Sequence, residues 1–156
     1  MDFYEVTKES LNLGSNKHFH FSLKLDLLKW LDEKFDNRYH KKVKNIAESY
    51  ESLSKNFFSV CEEDLIDVLE FLEMIGYFVR RKAIDIVTVW ENFGALGIGI
   101  YLIAKDYIEK DRKKDPQLWL NVKFLFEKLK VVEENVYKRS LDEQIKIKKF
   151  ISAWKA

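Results

Sequence analysis

The sequence predicts an all-α fold, a single helical bundle of about six to seven helices, and three observations predict it. Helix breakers are scarce: 156 residues include one proline and five glycines, while Lys, Glu, Leu and Ile are abundant. Apolar residues recur at three- and four-residue spacing along most of the chain. Capping residues such as Asp85, Asp115 and Ser140 stand between those runs. The length suits one domain, which at this size buries roughly 70% of its unfolded surface. A hydrophobic share of 47% supplies the core.

Residues 1–16 are polar, lack a period and contain Gly14-Ser15-Asn16; they are expected to form a flexible N-terminal arm, leaving 17–156 as the helical domain. Phe19, Phe21, Leu23, Leu25 and Leu27 alternate as in a strand, but no second strand is available to pair with them. The expectation is therefore a helix from Ser22, as N-cap, to Phe35. Asn37 caps a second helix through Ser52, with Tyr39, Val43, Ile46, Ala47 and Tyr50 on one side. A third helix, about Ser59 to Arg81, has Leu65, Val68, Leu69, Leu72, Ile75, Gly76 and Val79 on its apolar face. Its acids gather at the start and its bases at the end, as the helix dipole favours.

Asp85 starts a fourth helix with Val89, Trp90 and Phe93, which Gly94 either bends or separates from a fifth. The apolar helix near 92–113 is expected to be central. Its uncharged stretch, Asn92 to Ala104, is thirteen residues long, short of the roughly 20 that cross a bilayer. Asp115-Pro116 restarts the chain with a capping acid and proline at the first helical position. Leu118, Val122, Leu125, Leu129 and Val132 follow, and Ser140-Leu141-Asp142-Glu143 spells a capping box for a last helix bearing Leu141, Ile145, Phe150 and Trp154.

The run Asp64-Leu65-Ile66-Asp67-Val68-Leu69-Glu70-Phe71-Leu72-Glu73-Met74-Ile75-Gly76 is followed by Val79-Arg80-Arg81-Lys82-Ala83-Ile84-Asp85, then Val89-Trp90-Glu91-Asn92-Phe93-Gly94 and Tyr107-Ile108. On these segments, residues of about 24–135 resemble an uncharacterised family of prokaryotic helical domains, a domain of unknown function. The resemblance implies a helical fold and supplies no activity. Many members carry an N-terminal membrane anchor; the first twenty residues here, with Asp2, Glu5 and Glu9 and no apolar run, are expected to be neither an anchor nor a signal peptide.

Net charge is +1, so bulk electrostatics demand no nucleic-acid or membrane partner. Residues 1–78 carry 10 basic and 15 acidic side chains, and 79–156 carry 17 and 11. Such asymmetry holds the halves together, drives self-association or offers the basic half to an acidic partner. A lone cysteine, Cys61, cannot form an internal disulfide and fits either a reducing, cytoplasmic location or indifference to redox state, with a packing role. His18 and His20 lack the further ligands of a metal site, and no histidine follows His40, which excludes the usual carboxylate-and-histidine di-metal bundle.

Glu63, Asp67 and Glu70, with Glu73 nearby, read as a solvated stripe, and Gly94, Gly97 and Gly99 as helix-crossing positions, since phosphate loops need a strand before them. No cofactor is expected. Three basic clusters remain: Arg38-Lys41-Lys42-Lys44, Arg80-Arg81-Lys82 and Lys110-Arg112-Lys113-Lys114. Arg80, Arg81, Lys82, Arg112, Lys113 and Lys114 are the candidate partner-binding residues. The functional expectation is a non-enzymatic protein-interaction module, binding a protein partner or itself. Its alternatives are a nucleic-acid-associated or regulatory protein using the basic half, and an enzyme whose site is assembled only in the fold.

Overall fold

A computed structural model of the chain describes residues 17–53, 57–140 and 142–155; the expected arm, residues 1–16, lies outside them. In order the elements are α1 (Lys17–Lys34), a π-helical turn (Phe35–Tyr39), α2 (His40–Leu53), α3 (Phe57–Arg80), α4 (Ile86–Lys114), α5 (Leu120–Tyr137) and α6 (Glu143–Lys155). The described residues include no strand, so the fold is all-α. Because α1 passes through the π turn into α2, these elements make five rods, slightly fewer than expected. Residues 17–25 are helical, so Ser22 lies inside α1 and caps nothing at its start.

Asn37 likewise does not begin a helix; it sits in the π turn. The reason lies in the apolar spacing. Leu27, Leu31, Phe35, Tyr39, Val43 and Ala47 are all buried and are all four residues apart. At 3.6 residues per turn, each such step drifts about 40° around the helix, roughly 200° over the series. A π turn takes up more residues per turn and returns part of that drift. Phe35 and Tyr39 consequently both reach Phe71 on α3, with ring centroids 5.7 and 4.7 Å away.

Helix α4 is the axis of the bundle. Every residue from Leu96 to Ala104 is buried, as a helix apolar on all sides must be in water. Tyr101 stacks on Phe126 of α5 at 4.0 Å, and Phe93 meets Phe71 of α3 at 5.7 Å. Gly99 lies under Phe150 of α6, whose ring carbon Cγ would be 2.4 Å from an added Cβ. Gly94 does not divide α4, which is continuous from Ile86 to Lys114, and the Trp90 indole of the preceding turn lies against it. By length and composition α4 could cross a membrane, although the thirteen-residue run alone is too short. The other helices bury 61% of the most apolar stretch of α4, so its role in the core accounts for its composition.

Caps set the remaining ends. Asp85 caps α4 as expected, its carboxylate accepting from the Thr88 amide at 3.0 Å and the Thr88 hydroxyl at 2.6 Å. Asp115 and Pro116 do not start α5. Asp115 accepts from the Gln117 amide in a turn that continues to Trp119, whose φ of 55° is left-handed, and α5 begins at Leu120. The acceptor for that start comes from another helix: Glu73 of α3 takes the Asn121 and Val122 amides, both at 2.9 Å. Ser140 is not the cap of α6 either. Asp142 is, accepting from the Gln144 amide at 2.8 Å. Ile145 then faces solvent, while Ile147 and Phe150 are buried.

Candidate functional site

Arg80 and Arg112, from two basic clusters distant in the chain, are brought onto one short segment. Arg80 closes α3 and donates through Nη1 to Asn121 Oδ1 at 2.8 Å. Arg112, in the last turn of α4, donates through Nη1 to the Leu118 carbonyl at 2.9 Å. Leu118 and Asn121 are three residues apart, so both guanidinium groups grip the α4–α5 turn. Arg81 donates to the Tyr77 hydroxyl at 3.2 Å. Lys82 ends the α3 helix in a left-handed conformation, φ 60°, and Lys113 and Lys114 are exposed beside the turn in sequence.

Phe124, on the first turns of α5, adds an aromatic group. The Arg80 guanidinium lies 5.8 Å from its ring centroid and the Lys128 ammonium 5.6 Å, a range in which a ring quadrupole attracts cations. Three nearby acids make structural hydrogen bonds. Glu73 caps α5, Asp111 accepts from Trp119 Nε1 at 2.9 Å, and Asp115 holds the turn. Among the described residues, none of the six expected partner-binding cations makes an ion pair within 4.0 Å. Their hydrogen bonds, where present, go to neutral acceptors.

The other sequence-read candidates resolve into structure. Asp67 pairs with Lys42 of α2 at 2.5 Å, and Glu73 caps α5, so the carboxylate stripe is solvated only at Glu63 and Glu70. The Asp67 contact raises the Lys42 ammonium pKa above its ordinary value. Lys42 and Asn45 also converge on Asp64, which fastens the 38–44 basic cluster to α3. Burial, with Asp64 nearby, pushes the Cys61 thiol up to about 11, so little thiolate forms near neutral pH. Among the described residues no group of three or more metal-ligating side chains converges.

One polar pair is hidden from sequence reading. Lys146 of α6 has a side chain only 5% exposed, and its Nζ lies 3.4 Å from Oε2 of Glu133 on α5. That carboxylate oxygen is buried and accepts no hydrogen bond from the described residues. Beside the pair lies a cavity of about 150 Å³ between α4, α5 and α6.

Comparison with known families settles the chain's kinship. The model of the family described as Domain of unknown function (DUF4760) matches residues 26–129. The chain belongs to this family. No curated protein and no solved structure matches it. The DUF4760 match contains Arg80, Arg112 and Phe124 with the turn they share, and stops short of Glu133 and all of α6. The basic surface is therefore built on family elements, and the cavity is closed by a helix beyond the matched region.

Sequence reasoning named Arg80 and Arg112 but missed Phe124, Lys128 and Glu73. Phe124 and Lys128 stand four apart on a helix, a spacing that signals one face, but nothing local says that Arg80 joins them. Glu73 was absorbed into a polar stripe because its amide partners lie 48 and 49 residues away.

Proposed function

We propose that this DUF4760 domain is a protein-interaction module, acting without catalysis of its own, that docks an acidic segment of a protein partner on the basic surface around the α4–α5 turn. The observation that carries this reading is the gathering of Arg80 and Arg112, from two distant cationic clusters, on one turn, with none of the six cations in an ion pair among the described residues. Such a surface steers an anionic partner and fixes its register. A peptide carrying several Asp or Glu residues would meet the guanidinium groups and the exposed Lys113 and Lys114. Phe124 already has two cations against its ring, which argues against a free stacking platform for nucleobases. The basic surface suits a protein partner better. A cytoplasmic location belongs to the same proposal, with Cys61 as its one support.

The test is fluorescence anisotropy with a labelled Glu/Asp-rich peptide and, in parallel, a single-stranded oligonucleotide. The expected result is peptide binding that weakens with salt and falls at least tenfold in Lys113→Glu/Lys114→Glu, a change of about 1.4 kcal/mol or more. Circular dichroism should show both proteins equally helical. Tighter binding to the oligonucleotide, or equal peptide binding by parent and variant, would overturn the proposal. Sedimentation of the unliganded protein separates self-association from binding in trans.

A further inference from the structure

The cavity between α4, α5 and α6 combines features that a packed core avoids. Its walls include Glu133 and Lys146, which meet at 3.4 Å with the Glu133 oxygen accepting no hydrogen bond from the described residues. A buried ion pair with unused hydrogen-bonding capacity is costly, because desolvation is not repaid. A group that donates to Glu133 Oε2 would complete the pair. Lys149 supplies a second, exposed cation at the wall. Ala95, Ile98 and Gly99 of α4 supply small or apolar surface.

We propose that this cavity binds a small zwitterion of the α-amino-acid class. The ligand's ammonium donates to Glu133 Oε2, and its carboxylate accepts from Lys146 and Lys149. Two lysines against one glutamate leave the site with one net positive charge, which suits a carboxylate held twice. The volume, about 150 Å³, is that of a cavity known to take benzene, so a ligand of about six heavy atoms fits. A short alkyl side chain faces Ala95 and Ile98. Glycine at 99 allows α6 to close the site, since Phe150 Cγ would lie 2.4 Å from a Cβ there. The assignment is independent of the basic surface around Phe124.

The experiment is differential scanning fluorimetry of the full chain with each of the twenty standard L-amino acids, alongside propionate and ethylamine as half-ligands. A ligand specific to the native state raises Tm with its concentration. The expected result is a saturable rise with a small L-amino acid such as alanine and none with either half-ligand. Titration calorimetry should then show binding weakened about tenfold in Lys149→Gln, which removes one charged contact. Ala95→Leu, at an exposed helical position on the cavity wall, should fill the site and abolish binding while keeping the parent's helicity. No shift with any amino acid, or shifts equally large with propionate, would overturn the proposal, as would binding unchanged in both variants.

Discussion

Replacing Gly76 with alanine puts one methyl group where another helix's backbone already lies. A Cβ at Gly76 would sit 2.2 Å from the Asn121 carbonyl oxygen and 2.8 Å from its carbon. No rotamer change relieves a contact with backbone, so the start of α5 must withdraw by roughly 1 Å, a strain typical of overpacking. The same segment donates the Asn121 and Val122 amides to Glu73, both at 2.9 Å. Withdrawal by that amount takes them beyond good hydrogen-bonding distance. Overpacking costs about 1–3 kcal/mol, and each weakened bond to a charged acceptor up to about 1.5–3 kcal/mol. Alanine returns about 1 kcal/mol through helix propensity. The net expectation is a loss of about 2–4 kcal/mol, which lowers Tm by on the order of 10 °C in a domain of this size. Urea unfolding followed by circular dichroism measures it. Gly94→Ala is the control, because its Cβ would meet the half-buried Trp90 side chain, 2.7 Å away, which can swing aside. That variant should stay within about 1 kcal/mol of the parent. If Gly76→Ala unfolds at the parent's midpoint with an unchanged slope, the close crossing of α3 and α5 is not as described.

Three further outcomes are expected. Gly97→Leu should destabilise by about 1–3 kcal/mol, since its Cβ would fall 2.6 Å from Leu129 Cδ1; Gly97→Ala should cost less because that methyl group can move, and the same urea series ranks both. Asp85→Ala should lose about 1 kcal/mol with the α4 cap, and a Tm equal to the parent's would show the Thr88 contacts to be idle. Cys61 should resist iodoacetamide at pH 8 in the folded protein and react once urea unfolds it; rapid native alkylation would contradict its burial. For the same thiol the unfolded chain releases its proton first, near 9.0, and the folded chain only near 11. Stability from this group is thus present below pH 9 and lost as pH rises through that window, by at most roughly 3 kcal/mol.

The local signals in the sequence were sufficient for what local forces decide. Periodicity marked the apolar faces of α3 and α4, and Asp85 announced its helix because an N-cap bonds to amides only two or three residues on. The scarcity of breakers predicted a helical bundle, and the uncharged stretch from Asn92 to Ala104 marked its central helix. The resemblance over residues about 24–135 pointed to a family of unknown function, in keeping with the match over 26–129. Tertiary structure decided the places where a group's partner is remote in sequence. Local rules assigned the start of α5 to Asp115-Pro116, but Glu73 supplies the cap from 48 residues away. Gly76 looked like one more residue of an apolar face until Asn121 was placed against it. The π turn was present in the sequence only as a run of four-residue steps, whose drift means nothing until both helices must face one core. Arg80, Arg112 and Phe124 acquire a common surface, and Glu133 and Lys146 a common cavity, only when separate helices end or cross at the same point; spacing along a chain carries no record of such meetings.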